Sequence, residues 1–159
     1  MNCPTSNTQI TDICFQRCHY GMVVENDVKA FNIWGADIMT LVKCTGSISS
    51  INGCRGDSIG NHLVEITNGN SISLFDLDAD FCMGSVVHIG DLTGSGIIKN
   101  LTIHNVHGRH AIKQVYSLNN TPITIENITN DIVTDVGVIS ISSSYTLDGA
   151  VITTGQGNN

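Results

Sequence analysis

Charge is scarce in this sequence of 159 residues. Only 13% of the residues are Asp, Glu, Lys or Arg, and the seven Lys and Arg are scattered singly along a chain whose net charge is −7. Nucleic-acid binding requires clustered cations that neutralise phosphates. The composition therefore argues against nucleic acid as a partner, and solubility must depend on neutral polar groups, chiefly Asn, Ser, Thr and Gly.

The sequence also lacks the usual signals of membrane insertion and secretion. No apolar run approaches the roughly 20 residues of a membrane-spanning helix, and the polar start MNCPTSNTQ does not resemble a signal peptide. Both features argue against membrane insertion. If Met1 is the native start, the protein is expected to fold in the cytoplasm of the cell that produces it.

Six cysteines are present, but their spacing indicates neither disulfides nor zinc. Without a secretory signal, an even number of cysteines is weak evidence for disulfides. Cys14 and Cys18 are separated by three residues and have no matching second Cys/His pair, whereas zinc sites usually contain two such pairs. The sequence therefore predicts reduced, mostly structural thiols, with no metal site and no cofactor.

The apolar residues that are present favour strands. The chain has 21 Ile and 13 Val but only 8 Leu and 5 Ala, and β-branched side chains fit a pleated surface better than a helix. Sixteen Gly and sixteen Asn supply frequent turns, because both tolerate left-handed backbone conformations. We expect an all-β protein with little helix.

Internal repetition is the most informative feature of the sequence. The pattern apolar, any, any, apolar, any, apolar recurs six times, with starts spaced 18, 20, 24, 26 and 27 residues apart. The six copies are Ile10-TD-Ile13-C-Phe15, Val28-KA-Phe31-N-Ile33, Ile48-SS-Ile51-N-Gly53, Ile72-SL-Phe75-D-Leu77, Ile98-KN-Leu101-T-Ile103 and Ile125-EN-Ile128-T-Asn130. A second apolar strand follows each copy, and turn clusters close the unit.

A unit of this length cannot bury its apolar face alone, but stacked units form one continuous core. The repeat therefore predicts a parallel β-helix of about six coils. Leucine-rich repeats have a similar period but a Leu ladder that is missing here, and a β-sandwich would not repeat one motif in six consecutive units. The shared motif position predicts one interior column made of Ile13, Phe31, Ile51, Phe75, Leu101 and Ile128.

The irregular repeats, the turns rich in Asn, Ser and Gly, and the scarcity of Lys resemble the right-handed parallel β-helix of phage tailspikes and pectate-lyase-like proteins. The resemblance covers about residues 8–142 and concerns architecture, because no family-specific catalytic motif is present. It implies a β-helix over residues 1–142 and a polar C-terminal tail, residues 143–159, as a trimerisation segment. The chain would then be the C-terminal portion of a homotrimeric virion tail protein that binds, and in its complete form cleaves, bacterial O-antigen or capsule outside the cell.

Stacking of the repeats also predicts which outward side chains become neighbours, about 4.8 Å apart. One predicted column contains Gln16, Trp34, Cys54, Asp78 and His104, and the adjacent column contains Cys14, Asn32, Asn52, Asp76, Thr102 and Thr129. An aromatic plane among amides and carboxylates suits sugar recognition, so the predicted substrate-binding residues are Trp34, Asn52, His104 and Arg109. The alternative is an ordinary solvated face, because the outward residues of a β-helix must be polar in any case.

Asp76 and Asp78 are the predicted catalytic residues. Glycoside hydrolysis commonly uses one carboxyl group as the acid and a second as the nucleophile or base. Asp78 is the expected acid, because a flanking thiol and imidazole would solvate its carboxylate poorly and favour the protonated form. Asp76 is expected to stay ionised as base or nucleophile. Calcium binding by the alternating aspartates, or simple solvation, remains an alternative.

Two further groups of titratable residues are present, a predicted charge ladder and a cluster of histidines. A predicted ladder of Glu25, Lys43, Glu65, His88 and Lys113 alternates in charge, as cross-strand pairing favours. Residues 104–110 read HNVHGRH, which suggests metal binding only if the histidines converge, or binding of an acidic sugar by Arg109. The function classes left open are a polysaccharide depolymerase, a non-catalytic adhesin module and a structural piece that assists trimer assembly.

Overall fold

The structure, a computed structural model, describes residues 2–3, 8–25, 28–46, 50–69, 71–92, 94, 96–104, 115–117, 123–130, 139–141, 144–147 and 150–153. All elements in these ranges are strands. The strands are β1 (Asn2–Cys3), β2 (Thr8–Gln16), β3 (Tyr20–Val24), β4 (Val28–Cys44), β5 (Ser50–Gly69), β6 (Ile72–Cys82), β7 (Val87–Leu92), β8 (Gly96–His104), β9 (Val115–Ser117), β10 (Ile123–Asn130), β11 (Ile139–Ile141), β12 (Ser144–Leu147) and β13 (Ala150–Thr153).

The strands stack in parallel, each on the equivalent strand of the next repeat. The main path runs β1-β3-β4-β5-β6-β8-β10-β12-β13, and only the last pair, β12 with β13, is antiparallel. The predicted all-β parallel solenoid is therefore confirmed. It has about four turns described at length, rather than six, because beyond His104 only short strands of the fifth and sixth repeats are described.

Two sharp corners give each coil its shape. At each corner a single residue adopts positive φ, a conformation that Asn, Asp and Gly tolerate best. The first corner contains Asp12 (φ 55°), Asn32 (52°), Gly53 (70°), Asp76 (53°) and Asn100 (56°), and the second contains Arg17 (53°), Asp37 (55°), Ser58 (56°) and Phe81 (51°). Before, between and after the corners lie three strand segments per coil, which we name the first, second and third faces.

Hydrogen bonds between coils reinforce the first corner. Asn32 Nδ2 donates to Asp12 Oδ1 at 3.0 Å, and Asn100 Nδ2 donates to Asp76 Oδ1 at 2.7 Å. The same side chains that permit the turn therefore also link one coil to the next.

The core consists of stacked columns whose register differs from the predicted one. On the two sides of the first corner the interior columns are Ile10, Ala30, Ile51, Leu74, Ile98 and Ile13, Ile33, Cys54, Leu77, and the backbone of Leu101 continues the register of the second column. The predicted single column is wrong at Ile51, which is interior but belongs to the other column, and at Phe31 and Phe75. Phe31 and Phe75 are half-buried outward residues in register with Asn52.

Small residues in the middle repeats explain the misalignment. Ala30 occupies the interior position that the larger Val28 was expected to fill, and glycine follows at Gly35, where the side chain of Leu41 takes the space. A Cβ at Gly35 would lie 2.5 Å from Leu41 Cδ1. A search for large apolar residues therefore passes over the true interior positions of these coils.

Cysteines serve as small core residues. Cys44, Cys54 and Cys82 are buried free thiols, and Cys14 and Cys18 are also free, which confirms reduced thiols for these five. Burial raises the pKa of Cys54 to about 12 and that of Cys82 to about 11. The three buried thiols are therefore unreactive packing groups.

The end of the described chain departs from the simple stack. Strand β12 continues it by pairing in parallel with β10, Tyr145 lying beside Ile123, and β13 then folds back on β12. The domain boundary after residue 142 and the trimerisation role of residues 143–159 stay predictions. Among the described residues there is no helix long and apolar enough to cross a membrane.

Candidate functional site

The second face carries the most varied set of exposed functional groups in the described coils. Between its corners each coil contributes four residues, of which the first and third point inward and the second and fourth outward. The outward residues form two columns, which we name the Trp34 column (Cys14, Trp34, Arg55, Asp78) and the Asp80 column (Gln16, Ala36, Asp57, Asp80). The backbone of Thr102 continues the register of the first column and that of His104 continues the second.

The Trp34 column places an aromatic ring beside an ion pair. Trp34 is 39% exposed and in register with Arg55, which is in register with Asp78. Arg55 Nε lies 3.4 Å from Asp78 Oδ2, with side chains 69% and 35% exposed. An ion pair this exposed contributes little to stability, so both groups are available to bind a ligand.

The Asp80 column brings two carboxylates together on adjacent strands. Asp57 and Asp80 are register partners, and like charges directly opposite each other are unfavourable in a sheet. Ser58 Oγ donates to Asp57 Oδ1 at 3.0 Å. Sequence reasoning missed Asp57 because the third repeat was aligned three residues early.

The corrected register changes the neighbours of Asp78. Cys54 and His104 were expected on either side of it, but Cys54 is fully buried and His104 is in register with Asp80. The actual partners of Asp78 are Arg55 and Thr102. The thiol and imidazole expected beside Asp78 are therefore not its register partners, and its role as the acid stays a prediction.

The other predicted site residues are dispersed. Asp76 lies at the first corner, where it accepts the bond from Asn100, and Asn52 lies on the first face between Phe31 and Phe75. Arg109 lies outside the described residues. Of the predicted set, only Trp34 and Asp78 share a column, two strands apart, with His104 on the neighbouring column of the same face.

Comparison of the chain with protein-family models, curated proteins and solved structures gives no match. Within the described ranges, no group of three or more His, Cys, Asp or Glu side chains is arranged to hold a metal ion. On the second face, a planar aromatic, a guanidinium and three carboxylates can stack on a sugar ring and bond its hydroxyl groups.

The third face carries the predicted charge ladder in its central part. Lys43, Glu65 and His88 are consecutive register partners, and Lys43 Nζ lies 3.2 Å from Glu65 Oε1. Burial is the largest single influence and opposes a charge on Lys43, but the hydrogen bond and negative charge of Glu65, together with Tyr20, outweigh it, and the pKa of Lys43 is raised. The expected ends of the ladder are wrong, because Val23 and not Glu25 is in register with Lys43, and Tyr116 is in register with His88. Lys113 itself lies outside the described residues.

Two histidine rings stack beside this ion pair. The centroids of His62 and His88 are 4.8 Å apart with an interplanar angle of 17°, and His62 Nδ1 lies 2.7 Å from the Ser85 carbonyl oxygen, to which its N–H donates. Burial lowers the pKa of both, and the neighbouring His62 lowers that of His88 further. The folded state therefore favours the neutral imidazoles.

We expect this pair to make the fold sensitive to mild acid. Because both folded-state pKa values lie below the unfolded value, the unfolded chain binds more protons as the pH falls through about 6.5. The free energy of unfolding should therefore fall between pH 7.5 and pH 5.5. The midpoint of thermal unfolding should fall by about 2–4 °C for each kcal/mol of unfolding free energy that is lost. The change His88→Phe retains an aromatic ring and should flatten this dependence, measured by circular dichroism.

The matched control is His19→Gln, because His19 is an exposed histidine of the same region that is not part of the stacked pair. An identical pH dependence in wild type and His88→Phe would contradict the assignment.

Proposed function

We propose that this chain is part of a phage tailspike-type protein whose second face binds bacterial surface polysaccharide. The parallel solenoid with a broad, exposed strand surface is the architecture that the sequence resemblance implies. The observation that carries the proposal is the exposed Trp34 ring in one column with Arg55 and Asp78, beside the aspartates of the Asp80 column.

The geometry suits a polymer of sugars. Sugar rings have apolar C–H faces that pack on an aromatic plane, and hydroxyl groups that donate to carboxylates and accept from guanidinium N–H groups. Successive coils present these groups about every 4.8 Å. A chain of sugars lying along the axis of the solenoid would meet a new set of partners at each coil.

In the complete protein we propose that the bound polysaccharide is also cleaved, with carboxylates of this face as the reacting groups. Asp78 and Asp80 are two residues apart on one strand, a backbone separation of about 6.6 Å, near the range of about 6.5–9.5 Å typical of inverting glycosidases. Asp57 and Asp80 lie on strands about 4.8 Å apart, nearer the retaining spacing. We propose these two pairs in place of the pair Asp76 and Asp78 expected from the sequence, because Asp76 belongs to the first corner.

Removal of the indole is the first test. Trp34 is the only tryptophan, so its fluorescence reports directly on the second face when purified O-antigen and capsular polysaccharides are titrated in. Trp34→Ala should weaken binding about tenfold or more, equivalent to about 1.4 kcal/mol, as measured by calorimetry. Tyr20→Ala is the matched control, because Tyr20 is an equally exposed aromatic residue, also 39%, on the third face.

The same titrations separate an enzyme from an adhesin. Shortening of the polysaccharide by wild type, lost in Asp78→Asn or Asp80→Asn while binding persists, would support cleavage. Binding without shortening would support the adhesin. Equal binding by wild type and Trp34→Ala, or an equal loss in Tyr20→Ala, would refute the assignment of the second face. The trimeric assembly and the location in the virion tail remain part of the proposal.

A further inference from the structure

A solvent-open apolar pocket lies at the second corner, beside the second face. Its volume is about 300 Å³, and it is lined by Ser58, Ile59, Gly60, Phe81 and Met83. Phe81 is 45% exposed and Met83 is 62% exposed. Exposed apolar side chains gathered around a concave space commonly mark a binding site.

Phe81, in the wall of the pocket, has a backbone conformation that does not favour the stability of the fold. Phe81 has φ 51°, and the left-handed region is unfavourable for a bulky side chain. The equivalent positions of the preceding coils hold Arg17, Asp37 and Ser58, all polar residues, so Phe81 is the apolar member of this corner series. A phenylalanine that is both strained and exposed suits the binding of a ligand at this corner better than it suits the stability of the fold.

Gly60 lines the pocket without a side chain. A Cβ at this position would lie 2.7 Å from Met39 Sδ, so the glycine accommodates the methionine of the coil before, and Met83 belongs to the coil after. Of the two, Met83 lines the pocket. The wall is therefore made of thioether and phenyl groups, which are polarisable and adapt to small apolar ligands.

The pocket is continuous with the Asp80 column. Ser58, in its wall, donates to Asp57, and Phe81 directly follows Asp80. A ligand that fills the pocket must therefore have a small apolar group attached to a part that bonds carboxylates. Sugars that carry a methyl group combine these two properties. A hydroxymethyl group would instead lose its hydration in a wall that offers almost no polar partner.

We propose that this pocket receives the methyl group of a 6-deoxy or N-acetylated sugar of the polysaccharide bound on the second face. The inference rests on the proposed function and specifies its substrate class. The apolar pocket would select the methyl-bearing sugar, while the aspartates bond its hydroxyl groups and Trp34 stacks on a neighbouring unit of the polymer.

Paired sugars that differ in the methyl-bearing group test this. The full chain is studied by saturation-transfer NMR and titration with N-acetyl-D-glucosamine against D-glucose, and with L-fucose against L-galactose. In at least one pair the methyl-bearing sugar should bind about fourfold or more tightly, the factor expected for burial of one methyl group. Its methyl protons should receive the strongest saturation, and the pair that responds identifies an N-acetyl or a 6-deoxy sugar.

Substitutions in the wall should remove the preference. Met83→Ser makes the wall polar, and Gly60→Val adds apolar volume at a lining position whose Cβ would collide only with the flexible end of Met39. Met39→Ser is the matched control, because Met39 is a similarly exposed methionine, 43%, outside the lining. Loss of the preference in Met83→Ser and Gly60→Val, and its retention in Met39→Ser, would support the pocket.

The outcomes separate this inference from the proposed function. Equal binding within both pairs, or no saturation of any methyl group, would overturn the pocket even where polysaccharide binding still depends on Trp34. No binding of any polysaccharide would overturn the proposed function itself. Binding of methyl-bearing sugars that is unchanged in Trp34→Ala would place the ligand in the pocket but not across the second face.

Discussion

Replacement of Cys54 by aspartate is expected to unfold the solenoid. Cys54 is fully buried and stacked between Ile33 and Leu77, so a carboxylate at this position would have no water and no cation. An uncompensated buried charge costs about 3–5 kcal/mol, much of the 5–15 kcal/mol by which domains are typically stable. Thermal and urea unfolding followed by circular dichroism should show this loss.

The chain offers a matched control for that experiment. Cys14→Asp introduces the same residue at an exposed cysteine of the Trp34 column, where the carboxylate stays in water. It should change the free energy of unfolding by less than about 0.5 kcal/mol, as surface substitutions usually do. Equal stability of the Cys54→Asp and Cys14→Asp variants would show that the interior columns are out of register.

The second large effect is expected at Gly84. A Cβ added there would lie 2.2 Å from the carbonyl oxygen of Asn61, a backbone atom of the preceding coil. The methyl group of Gly84→Ala can be accommodated only if adjacent coils move apart. We expect a loss of about 2–3 kcal/mol, the upper part of the usual range for overpacking, in the same unfolding measurements.

Gly60→Ala isolates the cause of that loss. Its added Cβ meets only Met39 Sδ at 2.7 Å, the far end of a flexible side chain that can move aside. Both changes reduce the entropy of the unfolded chain by a similar amount, so their difference measures the collision with the backbone. If Gly84→Ala were as stable as Gly60→Ala, the close approach of the coils at Asn61 would be refuted.

The class of fold could be predicted from the sequence, but its register could not. The recurring Ile and Val positions indicated stacked parallel strands, because a short apolar unit has no other way to bury its face. The alignment failed at the second to fourth repeats, where small residues such as Ala30 and Cys54 face inward and the larger Phe31 and Phe75 do not. Side-chain size was a poor guide to the inward positions, because side chains of the third face, such as Leu41, fill the space left by glycine.

The accuracy of the predicted site depended on how the repeats were aligned. Trp34 and Asp78 were placed correctly in one column, because the offset between the second and fourth repeats is the same. Cys54 was placed outward and Asp57 was missed, since the third repeat was shifted by three residues rather than two. A signal that could have corrected the register was the series Asp12, Asn32, Gly53, Asp76, Asn100, residue types that tolerate positive φ.

The two corners have a consequence for how such a surface can diversify. Successive first-corner residues are 20, 21, 23 and 24 positions apart, yet the second corner always follows the first after five. The differences in coil length therefore lie outside the strip between the corners, which has the same width in the four coils whose two corners are described. New ligand specificities could therefore arise by substitution of the two outward side chains of each coil, without any change in the backbone that carries them.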